Sequence, residues 1–217
     1  MIVIIIPVLN RPHRVRPLLD SIEEATPEPH RTVFVCSPGD TKELEALADA
    51  DAEWICTPEP YPRGDYARKI NFAYRATWEP LLFTGADDLH FHPRWLDAAT
   101  AKLADGIGVV GTNDLTNPRT ARGHSTHSLV TRTYADKGTI DEPHKILHEG
   151  YWHEYVDDEL VGTAKKRKAY AHAPDSHVEH LHPMAKKAPM DSLYEMQTMR
   201  MMVSRRLYDQ RRRLWQK

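Results

Sequence analysis

The chain opens on an unbroken β-branched run, Ile2 to Ile6, of the kind found in strands covered on both faces. Val15, Leu18, Leu19 and Ile22 then recur at helical spacing. Pro12 suits a first helical turn, and Pro17 is tolerated only near a helix start. Thr32 to Val35 predicts a second strand. Pro38-Gly39-Asp40 predicts a turn, and Asp40 with Glu43 has capping-box spacing ahead of Leu44, Leu47 and Ala48. Ala52 to Cys56 gives a third strand. Asp65 stands as the cap of a helix bearing Tyr66, Ile70, Ala73 and Tyr74 on one face. Leu81-Leu82-Phe83 predicts a fourth strand that runs into Gly85-Ala86-Asp87-Asp88. Pro93 opens a helix with Trp95, Leu96, Ala99 and Leu103 inward, and Val109-Val110 starts a fifth strand.

This alternation predicts an α/β fold of right-handed βαβ units around a mainly parallel sheet. Ligands in such sheets sit beyond the carboxyl ends of the strands. Asp87 and Asp88 hold that position after strand four, and Leu9, Asn10 and Arg11 hold it after strand one. The second half is less regular. Ser128 to Tyr134 reads as a strand, Asp157 to Lys168 as a helix, and Ala169 to Ala173 and His177 to Leu181 as two short strands. A long helix is expected from Ser192, with Glu195 as capping partner, towards Trp215. This helix, with Met196, Met199, Met202, Val203 and Leu207 along it, is expected to pack on its own domain and not on a partner.

Composition narrows the class. The 217 residues are 41% hydrophobic and 28% charged with net charge -2, which excludes collagenous, membrane-spanning and wholly disordered chains. No apolar run approaches the roughly 20 residues of a bilayer span, and the opening strand lacks the basic leader of a signal peptide. Cys36 and Cys56 give neither a disulfide framework nor a metal spacing, so a reducing, cytoplasmic setting is expected.

Three short constellations carry chemistry. Asp87-Asp88 at a strand end has the make-up of a hard-cation site that bridges phosphate oxygens; a solvated turn is the plainer explanation. His180 and His182 share a face if their segment is extended, and imidazole suits manganese among other metals. Asp157-Asp158-Glu159 opens a helix, where carboxylates favour the dipole or serve as a general base. The chain has neither a G-x-x-x-x-G-K nor a G-x-G-x-x-G phosphate cradle, and no G-x-S-x-G elbow.

The order of these parts is more specific than any one of them. The apolar strand with Pro7-Val8-Leu9-Asn10-Arg11, a helix with Arg68 and Asn71, Ala86-Asp87-Asp88, Val156-Asp157-Asp158-Glu159-Leu160 and finally Val178-x-His180 follow in turn. This succession resembles the family 2-type glycosyltransferases of the GT-A fold over roughly residues 1 to 185. The short chain and the Glu179-His180-Leu181-His182-Pro183 ending are similar to small members encoded by bacteriophages.

The resemblance implies a GT-A domain over residues 1 to 185, with residues 186 to 217 as a C-terminal helix packed on it. It implies that Pro7, Leu9, Asn10 and Arg11 cradle the nucleobase, that Arg68 (or Lys69) approaches the diphosphate, and that Asp87 lies near the ribose or sugar. Asp88 and His180, with His182 as the alternative histidine, would bind Mn²⁺ or Mg²⁺. Asp157 would be the general base, with Asp158 as its reserve. Two departures stand out: Ala86 occupies the first acidic position of the family's D-x-D motif, and strand two ends Val35-Cys36-Ser37 without its usual acidic residue.

The implied activity is inverting transfer from a nucleoside-diphosphate sugar, UDP-linked by preference, to an acceptor hydroxyl by a monomer or homodimer. The clusters Lys165 to Lys168 and Arg200 to Arg213 read first as solvated helix faces. Their functional reading is contact with a polyanionic acceptor such as hydroxymethylated DNA. Two rival readings are a nucleotidylyltransferase, which would release pyrophosphate, and a non-enzymatic, basic-tailed nucleic-acid-binding module. Convergence of Asp88 and His180 in space is the feature that separates an enzyme from the latter.

Overall fold

The computed structural model describes residues 1–216. Eight strands form one mixed sheet in the order β3-β2-β1-β4-β7-β6-β8-β5. β1 (Ile2–Pro7) lies between β2 (His30–Cys36) and β4 (Leu81–Thr84) and is parallel to both; β3 (Trp54–Cys56) continues the parallel set beyond β2. β7 (Ser128–Thr131) is antiparallel to β4 and to β6 (Val109–Asn113). β8 (Tyr170–His180) pairs parallel with β6 and antiparallel with β5 (Leu89–Phe91).

The run at the start of the chain is buried on both faces because alternate residues enter different cores. Ile2, Ile4 and Ile6 pack with Val15, Leu18 and Ile22 of α1 (Val15–Ala25) and with Trp95 of α4 (Trp95–Thr100). Val3 and Ile5 pack on the other face with Ile70 and Ala73 of α3 (Asp65–Ala76) and with Leu160 of α6 (Val156–Lys166). Full burial of each such side chain contributes about 1.5–3 kcal/mol.

Local expectations differ from the structure where tertiary partners compete. Asp40 stands at the N-cap of α2 (Thr41–Asp49) but makes no side-chain cap bond. Its Oδ2 accepts the Asn10 N–H at 2.7 Å, and Glu43 Oε2 accepts the Arg11 N–H at 2.7 Å. Asn10 has φ +53°, and this left-handed turn aims the two N–H groups at α2. The cap of α3 is Gly64 at φ +69°, not Asp65, whose Oδ2 binds Lys69 Nζ at 2.9 Å. Lys69 is fully buried and also donates to the Val8 carbonyl at 2.7 Å, fastening the loop after β1.

Further along, Ser128–Thr131 is extended, but the expected continuation to Tyr134 turns helical as α5 (Arg132–Lys137). The two strands expected near the end of the domain are one, β8. Asp191, not Ser192, caps the C-terminal segment, accepting the N–H groups of Leu193 and Tyr194. That segment is α7 (Ser192–Glu195) followed by α8 (Gln197–Arg211). Met196, Met199, Met202 and Val203 are exposed. α8 meets the sheet domain through the other face: Ser204 Oγ accepts the Trp152 N–H, Tyr208 stacks on Tyr155, and Arg211 pairs with buried Glu159.

Glu43 gives a prediction. Burial raises its carboxyl above the usual 4.5, against the lowering effect of the Arg11 N–H. Such a group stabilises the fold below its unfolded value, and that contribution is lost as pH rises through the folded one. Glu43→Gln keeps an acceptor for Arg11 and removes the buried charge. Its melting temperature is therefore expected to equal or exceed wild type at pH 8 and to lose the advantage near pH 4, as thermal melts across pH would show.

Candidate active site

The parallel order around β1 places the carboxyl ends of β1 and β4 side by side, with chain crossing away from each in opposite directions. A crevice at such a switch point is where α/β sheets bind ligands. Arg11 follows β1, Asp87 and Asp88 follow β4, and His180 ends β8. All four meet there. His180 Nε2 lies 3.1 Å from Asp88 Oδ2, across 92 residues of sequence. Arg11 Nη1 donates to Asp87 Oδ1 at 2.9 Å and lies 3.5 Å from Asp88 Oδ2; Arg14 Nη1 is 3.7 Å from the same oxygen.

The C-terminal segment closes over this cluster, which no local motif indicated. The Tyr194 hydroxyl donates to Asp88 Oδ2 at 2.6 Å, and the Arg11 guanidinium bonds both carboxylate oxygens of Asp191 at 2.9 and 3.0 Å. The Tyr194 ring lies 4.2 Å from the Arg11 guanidinium carbon, so the cation also sits against its face. Burial alone would lower the Arg11 pKa; Asp87, Asp191 and Asp88 raise it instead.

The two aspartates are electrostatically unlike. Burial, then the adjacent Asp88 charge, pushes Asp87 up to about 7 despite Arg11. Burial also works against ionised Asp88, but the charge and hydrogen bond of His180, the Tyr194 hydroxyl and Arg11 hold it well below the usual 3.8. Asp88 is thus the carboxylate of the pair that stays charged. Its Oδ1 is buried and has no hydrogen-bond partner. That orphaned oxygen, on a carboxylate whose Oδ2 meets the His180 imidazole, is part of a donor set that suits a divalent cation with further oxygen ligands.

The remaining expected residues divide. Pro7 is buried at the end of β1, Leu9 is half-buried and Asn10 is exposed. Arg68 is directed elsewhere: its Nη1 is 3.5 Å from Glu149 and its guanidinium lies over Tyr61. His182 packs its ring against Tyr194 and accepts the Met184 N–H on Nδ1. The acidic residue missing from the end of β2 has neighbours in space, because Asp40 and Glu43 reach the same loop from α2.

Asp157 and Asp158 open α6. Asp157 Oδ2 lies 3.0 Å from His124 Nε2, and Asp158 pairs with Arg119. His124, Asp157 and Asp158 are the one trio of metal-type ligand atoms within 4.8 Å of one another among the described residues. Asp88, His180 and His182 make no such trio. His124 and Arg119 each engage one of the two α6 carboxylates and hold it in place. The Tyr66 hydroxyl and the His153 imidazole each feel the charges of both Asp88 and Asp157. Their rings meet edge to face at 5.5 Å.

The fold is that of the GT-A glycosyltransferases, a Rossmann-like sheet flanked by helices with a C-terminal helix. Glucosyl-3-phosphoglycerate synthase from Mycobacterium tuberculosis, in complex with Mn²⁺, UDP and glucosyl-3-phosphoglycerate, superposes with a TM-score of 0.66 at 14% identity, over 96% of this chain and 79% of that one. The mannosyltransferase PcManGT from Pyrobaculum calidifontis, in complex with GDP-mannose and Mn²⁺, gives 0.69 at 15% identity, over 97% of this chain and 64% of that one. No protein-family model and no curated protein sequence matches the chain. No helix among the described residues is long and apolar enough to cross a membrane.

Proposed function

We propose that this protein is a divalent-metal-dependent glycosyltransferase that moves a sugar from a nucleoside-diphosphate sugar to an acceptor hydroxyl with inversion. The observation that carries the reading is the convergence of Asp88 and His180, whose buried oxygen and imidazole nitrogen meet beside Arg11 at the switch point. The solved proteins of like fold, crystallised with Mn²⁺ and UDP- or GDP-linked ligands, support it.

Asp88 and His180 would hold the metal, and Pro7, Leu9 and Asn10 would line the nucleoside end. When bound, the ion would act as a Lewis acid towards the departing diphosphate. Arg11 would bring a second positive charge to that leaving group once released from Asp191. Asp87 would lie towards the ribose or sugar. Asp157, ionised and held by His124, would take the proton of the acceptor hydroxyl as its oxygen attacks the anomeric carbon from the face opposite the leaving group. UDP is the preferred carrier in this reading.

Thermal melts with UDP, GDP, CDP and dTDP, each with and without Mn²⁺, test it. One diphosphate at a hundredfold excess over its Kd should raise the melting temperature by roughly 5–10 °C, and only with metal. No metal-dependent shift with any of the four would sink the proposal.

A further inference from the structure

The acceptor side of α6 carries a cavity that none of the preceding roles uses. It has a volume of about 480 Å³ and lies between the short helical turn Thr120–Arg122, α6 and the C-terminal segment. Arg119, Arg122 and Lys165 bring positive charge to its lining, and the Asp158 carboxylate there is engaged by Arg119. The guanidinium of Arg122 has no ion-pair or hydrogen-bond partner among the described residues. Lys165 donates to the Gly123 carbonyl and has no carboxylate partner there. Burial, and next the charge of Arg119, lowers its pKa.

The apolar wall is equally defined. Trp215 is buried and seats against Gly162, where a Cβ would come within 2.2 Å of the indole nitrogen. Tyr208 lines the same cavity and stacks on Tyr155, the residue before α6. A concave space of several hundred Å³ with aromatic walls and a few convergent charges is the usual form of a small-ligand site. Its rim is the catalytic edge, because Asp158 and His124 line the cavity and His124 contacts Asp157.

We propose that this cavity is the acceptor subsite and that it takes a phosphate group of the acceptor. The inference rests on the glycosyltransferase reading and specifies its acceptor class. Arg122 and Lys165 converge on one concave face without a carboxylate partner among the described residues, and an arginine–lysine pair suits phosphate oxygens. A phosphate held by Arg122 and Lys165 would leave the remainder of the acceptor, with its hydroxyl, directed along α6 towards Asp157. A small phosphorylated acceptor and a nucleic-acid backbone both supply such a group, and the chemistry at the cavity is the same.

The test titrates inorganic phosphate, at constant ionic strength set with chloride, into the full chain followed by thermal melts. Arg122→Gln and Lys165→Gln are compared with wild type and with Lys42→Gln, an exposed residue on α2. Phosphate at millimolar concentration should stabilise wild type and Lys42→Gln alike, and its half-saturating concentration should rise at least fivefold in both cavity variants. The Mn²⁺–nucleotide shift should be unchanged in those variants, which separates this subsite from the donor site. A short duplex DNA in a second titration distinguishes the source. Binding that is lost in the same variants assigns the cavity to backbone phosphate, and phosphate binding without duplex binding assigns it to a small phosphorylated acceptor. Stabilisation by phosphate that is equal in wild type and both cavity variants, or absent altogether, overturns the proposal.

Discussion

Asp88→Asn is expected to abolish the Mn²⁺-dependent response to nucleotide and to lower the transfer rate by at least about 10³-fold. A Lewis acid contributes several kcal/mol to a transition state, and about 4 kcal/mol corresponds to that factor. The amide keeps one oxygen but loses the charge that His180 engages and that would hold the cation. The same change acts on the metal-free fold. Asp88 is buried and its pKa is held low, so its ionised form stabilises the fold above the usual 3.8, and that contribution is lost as pH falls through the depressed value. A simple loss of stability would therefore be ambiguous. Tyr194→Phe resolves it, since it removes a hydrogen bond to the same carboxylate, worth about 1.5–3 kcal/mol, and leaves the charge in place. Tyr194→Phe should melt lower than wild type without ligand and still respond to Mn²⁺ with nucleotide, whereas Asp88→Asn should melt lower and fail to respond. If both variants respond, Asp88 is a structural residue.

The contrast between these two residues marks what the sequence could carry. Asp88 was legible because its signal is local: an apolar strand, Leu81-Leu82-Phe83, ends and an acidic pair follows. The core of the first half was legible for the same reason, as β-branched runs and 3.6-residue spacings act over a few residues. Tyr194 and Asp191 bind Asp88 and Arg11 across 106 and 180 residues, and no periodicity encodes such a meeting. β5 escaped notice because its three residues, Leu89 to Phe91, are stabilised by pairing with β8 and not by their own pattern. β8 read as two strands because Pro174 and Asp175 interrupt it, at the place where its register with β6 shifts between Gly111 and Asn113. Asp40 and Glu43 had the spacing of a capping box, yet the N–H groups of Asn10 and Arg11 took their carboxylates. On α8 the methionines stay exposed, and the contacts come from Ser204, Tyr208 and Arg211 with Trp152, Tyr155 and Glu159.

Asp157→Asn is expected to lower kcat by about 10²–10⁴-fold with the donor response in thermal melts intact. The neighbouring Asp158→Asn should cost far less. Two adjacent carboxylates on one helical turn compete for ionisation, and their partners decide the outcome. For Asp157, burial opposes charge, but the hydrogen bond and charge of His124 outweigh it and hold the pKa below 3.8. For Asp158, burial and the charge of Asp157 push the pKa up, and its oxygen is engaged by Arg119. Asp157 is therefore the more readily ionised of the two. A base must be ionised to act, so activity controlled by Asp157 should lack an acid limb between pH 5 and pH 7, the limb lying below its ordinary value of 3.8. The measurement is kcat/KM against pH for wild type and for His124→Gln. Loss of the imidazole removes the main contribution holding Asp157 low, so the acid limb should move upward in that variant. An acid limb that stays in place in His124→Gln, together with a larger loss in Asp158→Asn than in Asp157→Asn, would transfer the role of base to Asp158.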